Sequence, residues 1–214
     1  MPPRRSYDQF CSAARALDAV GDRWTLLIVR ELLAGPRRYT DLHADLPGVS
    51  TDMLASRLKD MERDGLTTRR RLPPPGAAHV YELTPRGREL LPVLRALGEW
   101  GQADLGERRP TDALRAHWFA LPLLRALEET GVESGLIEVH LDEGDFHLHL
   151  GEAEGPLYGC GSAPEEPDAR LALDSGTCAA VARGELGLAD AVRDGRVEVS
   201  GAGTAAKALR ESGT

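Results

Sequence analysis

Residues 37–83 read RRYTDLHADLPGVSTDMLASRLKDMERDGLTTRRRLPPPGAAHVYEL, and this stretch decides the fold of the first half of the chain. Its centre has apolar residues at spacings of four and three, namely Leu54, Leu58 and Met61. This spacing predicts a helix with one apolar face. Ser50 or Thr51 can cap the helix, and Gly65 can end it because glycine adopts a positive φ without strain. The opposite face is polar and is therefore free for a partner.

Two strand-like runs follow this helix, Leu66–Leu72 and His79–Leu83, and the turn-forming residues Pro73-Pro74-Pro75-Gly76 join them. The first run contains three consecutive arginines at positions 69–71. A helix with a polar outer face followed by a basic hairpin is typical of a winged helix-turn-helix. In that fold the helix enters the major groove and the hairpin lies along the phosphates. The first half is therefore predicted to be a mainly α winged helix-turn-helix with a β-hairpin wing.

The expected DNA contacts lie on the outer face of this helix, on the turn before it and on the wing. They are Arg37, Arg38, Tyr39, Thr40, Ser50, Thr51, Asp52, Ala55, Ser56, Arg57, Lys59, Arg69, Arg71 and His79. Asp52 would repel phosphates, so we expect it to accept from a cytosine amino group or to stabilise the helix N-terminus. Arg57 lies nearer the core side, so a role in joining helices stays open. Strand alternation sends Arg70 to the side opposite Arg69 and Arg71. The alternative for the helix residues is a solvated face with no partner, and the alternative for the arginines at 69–71 is plain surface charge.

The charge is distributed unequally along the 214 residues, whose formal net charge is −8. Residues 1–109 contain 18 Lys and Arg against 15 Asp and Glu, a net charge of +3. Residues 110–214 contain 8 against 19, a net charge of −11. Because an acidic half repels DNA, any DNA contact is expected in the first half.

The cysteines and the hydropathy favour a cytoplasmic protein. Cys11, Cys160 and Cys178 cannot all pair with one another and form no Cys-x-x-Cys motif, so reduced thiols are expected. No apolar run approaches the ~18 residues of a membrane span, and the first ten residues lack the apolar centre of a signal peptide. No membrane partner is therefore expected.

A longer helix is predicted from Thr84-Pro85 to about Leu105, with more apolar residues than a small winged domain can bury. Packing against the first helix is one use of this stripe, and a seam with a second copy of the chain is the other. We favour the seam, because two-fold dimers suit palindromic operators. The expected dimerisation residues are Phe10, Leu94, Leu97 and Trp100.

Residues 106–110 read as a linker, so the predicted domains are 1–106 for DNA binding and dimerisation and 110–214 for a second module. Asp112–Glu129 is predicted to be helical, with a kink or division at Pro122. A hairpin with one apolar face should follow over residues 137–150, where apolar and polar residues alternate. The second half is therefore predicted to be α+β, an antiparallel sheet with helices on one face.

The motifs of the first half resemble the HxlR-type winged-helix transcription regulators, a MarR-like group. They are Cys11, Gly21 to Ile28, Leu33 to Tyr39, Leu46 to Ser50, Leu54 to Leu58, and Tyr81 to Gly87. The resemblance implies a homodimer that binds promoter DNA, usually as a repressor and sometimes as an activator. Two departures are Ser12, where the family often has proline, and the wing tip at residues 76–78. Cys11 is a redox candidate through the same resemblance, and a small buried residue near the seam is the alternative.

The second half resembles sterol-carrier-protein-type domains over residues ~134–210, through the runs at 169–174 and 191–201 and a closing helix. This resemblance implies a sheet and helices around an apolar tunnel that holds a lipid-like ligand. The residues expected to line such a pocket are Trp118, Phe119, Ile137, Val139, Leu141, Phe146, Leu148 and Leu150. Periodicity alone equally describes them as a plain core.

No catalytic constellation is evident, since the sequence lacks a Gly-rich phosphate loop, a nucleophile elbow and a His/Cys set with metal spacing. His140, His147 and His149 share a predicted strand face, but no further ligand is fixed by spacing, so neither a metal nor a cofactor is expected. The predicted function is a sequence-specific DNA-binding regulator, not an enzyme. The alternatives are a lipid-carrier or protein-interaction module whose winged helix mainly dimerises, and a redox-sensing regulator that acts through Cys11.

Overall fold

The computed structural model describes residues 6–74, 78–106, 108–151 and 155–213. The chain forms two compact units, one up to Leu94 and one from Arg95 onward. The expected linker at 106–110 lies within the second of these units. Residues 75–77, which include two of the four residues of the predicted turn and part of the wing tip at 76–78, lie outside the described residues.

The first unit consists of short helices around one apolar core and a small sheet. Its helices are α1 Ser12–Val20, α2 Thr25–Leu32, α3 Tyr39–Asp45 and α4 Thr51–Arg63. Its strands are β1 Arg37–Arg38, β2 Thr67–Arg71 and β3 His79–Leu83. The side chains that fill its core include Ile28, Val29, Leu42, Leu46, Leu54, Leu58 and Met61. Burial of these apolar side chains is what holds the helices together.

The wing is the antiparallel pair β2–β3, and β1 pairs with the other edge of β3. The register sets Arg69 opposite Tyr81 and Arg71 opposite His79. The predicted winged helix-turn-helix is therefore present in the first unit.

The single helix predicted from Thr84 to Leu105 is wrong, because the structure has two helices, α5 Pro85–Arg88 and α6 Leu91–Gly101. Thr84 caps α5 as expected, since its Oγ accepts from the Gly87 N–H at 3.1 Å. Pro92 explains the break, because proline has no N–H to donate to the carbonyl of Arg88. A short 3₁₀ turn, Gln102–Asp104, follows α6.

The second unit is a five-stranded sheet with helices. Its strands are β4 Gly135–Leu141, β5 Gly144–Leu150, β6 Tyr158–Cys160, β7 Ala169–Ala172 and β8 Glu198–Ser200. Its helices are α7 Ala120–Glu129, α8 Ser175–Ala182, α9 Leu188–Arg193 and α10 Thr204–Ser212. The strand order is β6-β5-β4-β7-β8, and β4 and β7 run parallel. The prediction of an antiparallel sheet is therefore wrong at this pair, because the chain crosses over between β6 and β7.

The helix predicted over Asp112–Glu129 begins later than expected. Residues Ala116–Phe119 form a 3₁₀ turn, and α7 starts only at Ala120. Pro122 consequently lies in the first turn of α7, where a proline removes no helical hydrogen bond, so of the two predicted outcomes the kink is wrong and the segment is instead divided just before Ala120. No helix in the described ranges combines the length and the apolar character that crossing a membrane requires.

The two faces of the second sheet are both covered, for different reasons. On one face the apolar side chains expected from the alternation, such as Val139 and Phe146, are fully buried. On the other face the connection after β6 lies over polar residues. The Ala163 N–H donates to Glu138 Oε2 at 2.6 Å, and His147 Nδ1 lies 3.1 Å from the Gly161 carbonyl. Glu138 is buried as a result.

Candidate nucleic-acid interface

Helix α4 begins where its sequence predicts. Gly48 makes the preceding turn with a φ of +86°, a conformation that glycine tolerates best. Ser50 is the N-cap, and its Oγ accepts from the Met53 N–H at 3.3 Å. Leu54 and Leu58 are buried, which fixes the side of α4 that faces the core.

The outer face of α4 is exposed and polar. Its exposed candidate residues are Thr51, Asp52, Ala55, Ser56 and Lys59. Asp52, Ser56 and Lys59 recur at spacings of four and three, so they line one side of the helix. Lysine can donate to guanine O6 and N7, serine can donate or accept, and aspartate can accept from a cytosine amino group. The face therefore carries three chemically different groups for reading base edges.

The residues before α4 are divided between internal contacts and exposure. Arg37 forms a close ion pair with Asp45 and is largely covered, whereas Arg38 and Thr40 are exposed. The Tyr39 hydroxyl donates to the Thr51 carbonyl at 2.7 Å, and its ring stacks on His43. Tyr39 thus contacts the first turn of α4, while its hydroxyl oxygen keeps the capacity to accept a hydrogen bond.

The three wing arginines have three different surroundings. Arg70 binds the Glu82 carboxylate, with Nη2 to Oε2 at 3.0 Å, and this hydrogen bond raises the pKa of Arg70. The Arg69 guanidinium lies 5.9 Å from the centroid of the Tyr81 ring, which is a cation–π contact. Burial raises the pKa of Tyr81, and the positive charge of Arg69 opposes that shift. Arg71 and His79 are exposed and opposite each other. Of the three wing arginines, Arg69 and Arg71 thus form no ion pair with a carboxylate of the described residues.

Arg57 differs from its exposed neighbours on α4, because its side chain is only 27% exposed. Its Nη2 lies 2.7 Å from Asp60 Oδ2, and its Nη1 lies 3.6 Å from Asp22 Oδ2. Asp22 precedes α2, so this contact joins the two helices. The sequence left open that Arg57 joins helices instead of contacting DNA, and this arrangement corresponds to that alternative.

Three of the four expected dimerisation residues are exposed. Phe10, Leu97 and Trp100 are exposed, and Trp100 retains 76% of its accessible surface. Leu94 is buried within the single chain. Further large apolar residues that the sequence prediction left out are also exposed: Tyr7, Leu17, Val93 and Leu105. For Leu17 and Val93 the signal was the amphipathic spacing of α1 and α6, which indicates a stripe but not which part of it the chain itself covers.

The residues expected to line a ligand pocket are mostly core side chains of the second unit. Ile137, Val139, Phe146 and Leu148 are fully buried, Phe119, Leu141 and Leu150 nearly so, and Trp118 is half-buried. A cavity of about 360 Å³ lies at one end of the sheet instead. It is lined by Arg95, Leu124, Glu128, Val132, Glu133, His149, Leu150, Gly151 and Leu157. Leu150 is the one expected residue that lines it.

The remaining candidates are a cysteine and three histidines. Cys11 is exposed and is the N-cap residue of α1. His140 lies between two carboxylates, with Nε2 at 3.0 Å from Glu138 and Nδ1 at 3.0 Å from Asp145. The rings of His147 and His149 are 5.3 Å apart, edge to face. His140 and the Nδ1 atom of His147 thus contact groups of the chain itself.

Comparison with known proteins points to one family for the first half. The model of the HxlR-like helix-turn-helix family matches residues 19–109. The HTH-type transcriptional regulator YvaP of Bacillus subtilis is 36% identical over 86 residues, which is 40% of this chain and 80% of that protein. YtfH of Escherichia coli, another HTH-type transcriptional regulator, is 38% identical over 45% of this chain and 77% of its own length.

A solved structure, the reduced form of the transcriptional regulator YodB of Bacillus subtilis, is 29% identical over 47% of this chain and all of its own, with a TM-score of 0.41. The family assignment rests on the sequence relatives. These are transcriptional regulators and not enzymes. The family match ends at residue 109 and does not describe the rest of the chain.

Proposed function

Since this chain belongs to the HxlR-like helix-turn-helix transcriptional regulators, we propose that it binds specific duplex DNA sequences at promoters through α4 and the wing. The observation that carries this proposal is the exposed outer face of α4, which leaves Asp52, Ser56 and Lys59 available to base edges. The wing adds exposed cations at Arg69 and Arg71 for the phosphates. Phosphate contacts position such a protein on the duplex, and base contacts give it its specificity.

The test is a selection of binding sites by the full-length protein from random duplexes, followed by titration of the selected sequence and of a scrambled duplex. We expect affinity for the selected sequence to exceed that for the scrambled one by about 10³-fold or more at physiological salt. Equal affinity for the two duplexes would contradict the proposal. Because a bound protein blocks promoter DNA to polymerase, repression is the regulatory outcome we propose.

The protein is proposed to act as a homodimer, and the exposed apolar residues of α6 support this. Val93, Leu97 and Trp100 recur at spacings of four and three along α6, and all three are exposed in the single chain. A second copy would bury this stripe and would present two α4 helices to half-sites about 34 Å apart.

Leu97→Glu should therefore give monomers and abolish binding to the selected sequence, because a charge cannot be buried in an apolar seam. Gly98→Glu is the control, since Gly98 is exposed, has open space for a side chain and lies at no spacing of three or four from the stripe, so the same charge falls outside it. Sedimentation velocity at micromolar concentration measures both variants. A monomeric wild-type protein, or a Leu97→Glu variant that stays dimeric, would rule the seam out.

For the second unit we propose a sterol-carrier-like module whose apolar ligand modulates DNA binding. The likeness of residues ~134–210 supports it, together with the cavity beside Leu124, Val132 and Leu157. A ligand can shift DNA affinity only if it binds the free and DNA-bound states unequally. Native mass spectrometry of the full-length protein should show a bound mass whose removal changes DNA affinity. A protein without added mass, whose DNA affinity no apolar compound alters, would contradict this proposal.

A further inference from the structure

The contact between Asp22 and Arg57 links the start of α2 to the middle of the recognition helix α4. Asp22 Oδ1 accepts the N–H groups of Trp24 at 2.8 Å and of Thr25 at 3.1 Å, and Oδ2 accepts the Thr25 hydroxyl. The same carboxylate lies 3.6 Å from Arg57 Nη1. One aspartate therefore accepts two backbone N–H groups at the start of α2 and holds a cation of α4.

Arg57 is restrained from two directions. Asp22 lies on one side of its guanidinium, and Asp60, one turn along α4, binds Nη2 at 2.7 Å on the other. Asp60 also binds Arg63, with Nη1 to Oδ1 at 2.8 Å. The planar guanidinium accepts partners only in fixed directions, so two carboxylates define its orientation.

The need for such a restraint follows from how the rest of α4 is packed. The core side of α4 consists of Leu54, Leu58 and Met61, whose apolar contacts resist separation but have little directional preference. Reading base edges requires side chains held to within about 0.5 Å. Arg57 lies between Ser56, on the reading face, and Leu58, in the core. A directional contact at this position is well placed to fix the rotation of α4.

We propose that Arg57 is a positioning residue, which with Asp22 sets the orientation of α4 and so determines how well the protein discriminates its own site from other DNA. This inference rests on the proposed DNA-binding function. It assigns Arg57 no contact with DNA. The strut, as we name the Asp22–Arg57 contact, acts through the side chains that α4 presents.

The test compares three full-length variants against the selected duplex and a scrambled one over a range of salt concentrations. Arg57→Gln removes the cation, and Asp22→Asn keeps an oxygen for the N–H groups of Trp24 and Thr25 but removes the charge that faces Arg57. Arg63→Gln is the control for charge, because it also removes one cation from α4 but leaves both Asp22 and Arg57 unchanged; it frees one oxygen of Asp60, which Arg57 still contacts through the other. Melting temperatures establish that each variant is folded.

We expect Arg57→Gln and Asp22→Asn each to lower the ratio of specific to scrambled affinity by about tenfold or more, which is the loss typical of one misread base pair. The double variant should lose no more than either single variant, because both remove one contact. The slope of log affinity against log salt should match that of Arg63→Gln.

Two results would contradict the positioning role of the Asp22–Arg57 strut and leave the proposed function standing. One is an unchanged ratio in Asp22→Asn. The other is an Arg57→Gln variant that loses affinity equally for both duplexes, with a salt slope reduced by about 0.9 relative to Arg63→Gln, since that is the signature of a direct phosphate contact. A wild-type protein that does not distinguish the two duplexes would overturn the proposed function and the strut together.

Discussion

The outer face of α4 with the wing and the outer face of the second sheet both collect polar side chains, but they use them in opposite ways. On the first surface, Lys59 and Arg71 are exposed and meet no carboxylate among the residues that the structure describes. On the second surface, Glu138 is buried and accepts from Ala163 and from Arg170 Nε at 3.3 Å. Charge that a protein leaves unpaired is available to a partner, whereas charge that it pairs internally holds its own loops in place.

The two sides of α4 give the first way to sharpen this comparison. Leu58→Ala should lower the free energy of unfolding by about 2–5 kcal/mol, because it leaves a cavity in the core. Lys59→Ala, at the next position, should change stability by no more than about 0.5 kcal/mol. It should nevertheless weaken binding to the selected duplex by about 1–3 kcal/mol if Lys59 reads a base.

Chemical denaturation and fluorescence anisotropy measure the two effects for this pair. The comparison breaks if Lys59→Ala destabilises the fold as much as Leu58→Ala, because the outer face of α4 would then be a structural surface.

Glu138→Gln tests the second surface and should have the next largest effect on stability. The variant leaves Arg170 and His140 without their buried anion, so the free energy of unfolding should fall by about 1–3 kcal/mol. The slope of log DNA affinity against log salt should stay that of the wild type. Urea denaturation gives the first value and a salt titration gives the second. A DNA affinity that changes while stability does not would show that this network serves binding.

The sequence predicts α4 almost to the residue because several local signals coincide there. Ser50 supplies a cap, Leu54 and Leu58 supply the spacing, and Gly65 ends the helix region with a φ of +70°. The strand His79–Leu83 is likewise as expected, because its alternation and the preceding prolines are local features. Such elements depend on contacts close in the chain.

What the sequence does not predict depends on contacts between distant residues. The parallel pairing of β4 with β7 brings Val139 beside Leu171, 32 positions later. The burial of Glu138 depends on the segment around Ala163, which carries no periodic signal. Pro92 is a local signal for the division between α5 and α6. The apolar stripe runs through the same region without a break, and on its own it predicts one continuous helix.

The same limit applies to the candidate interface. Strand alternation separates Arg70 from Arg69 and Arg71, and the structure adds that Glu82 pairs with Arg70. Spacing identifies the reading face of α4, but it cannot show that Arg57 meets Asp22, because that contact joins residues 35 positions apart. Exposure and pairing of a charged side chain are properties of the folded chain.

The most direct test of the DNA-reading surface is the salt dependence of affinity for the selected duplex, measured for the wild type, Arg71→Ala and Arg70→Ala. Both variants remove one positive charge from the same strand of the wing. Arg71→Ala should reduce the slope of log affinity against log salt by about 1, because an unpaired arginine at a phosphate releases counterions. Arg70→Ala should keep the wild-type slope, since Glu82 already neutralises Arg70. A wild-type slope in Arg71→Ala, or equal reductions in both variants, would contradict the account.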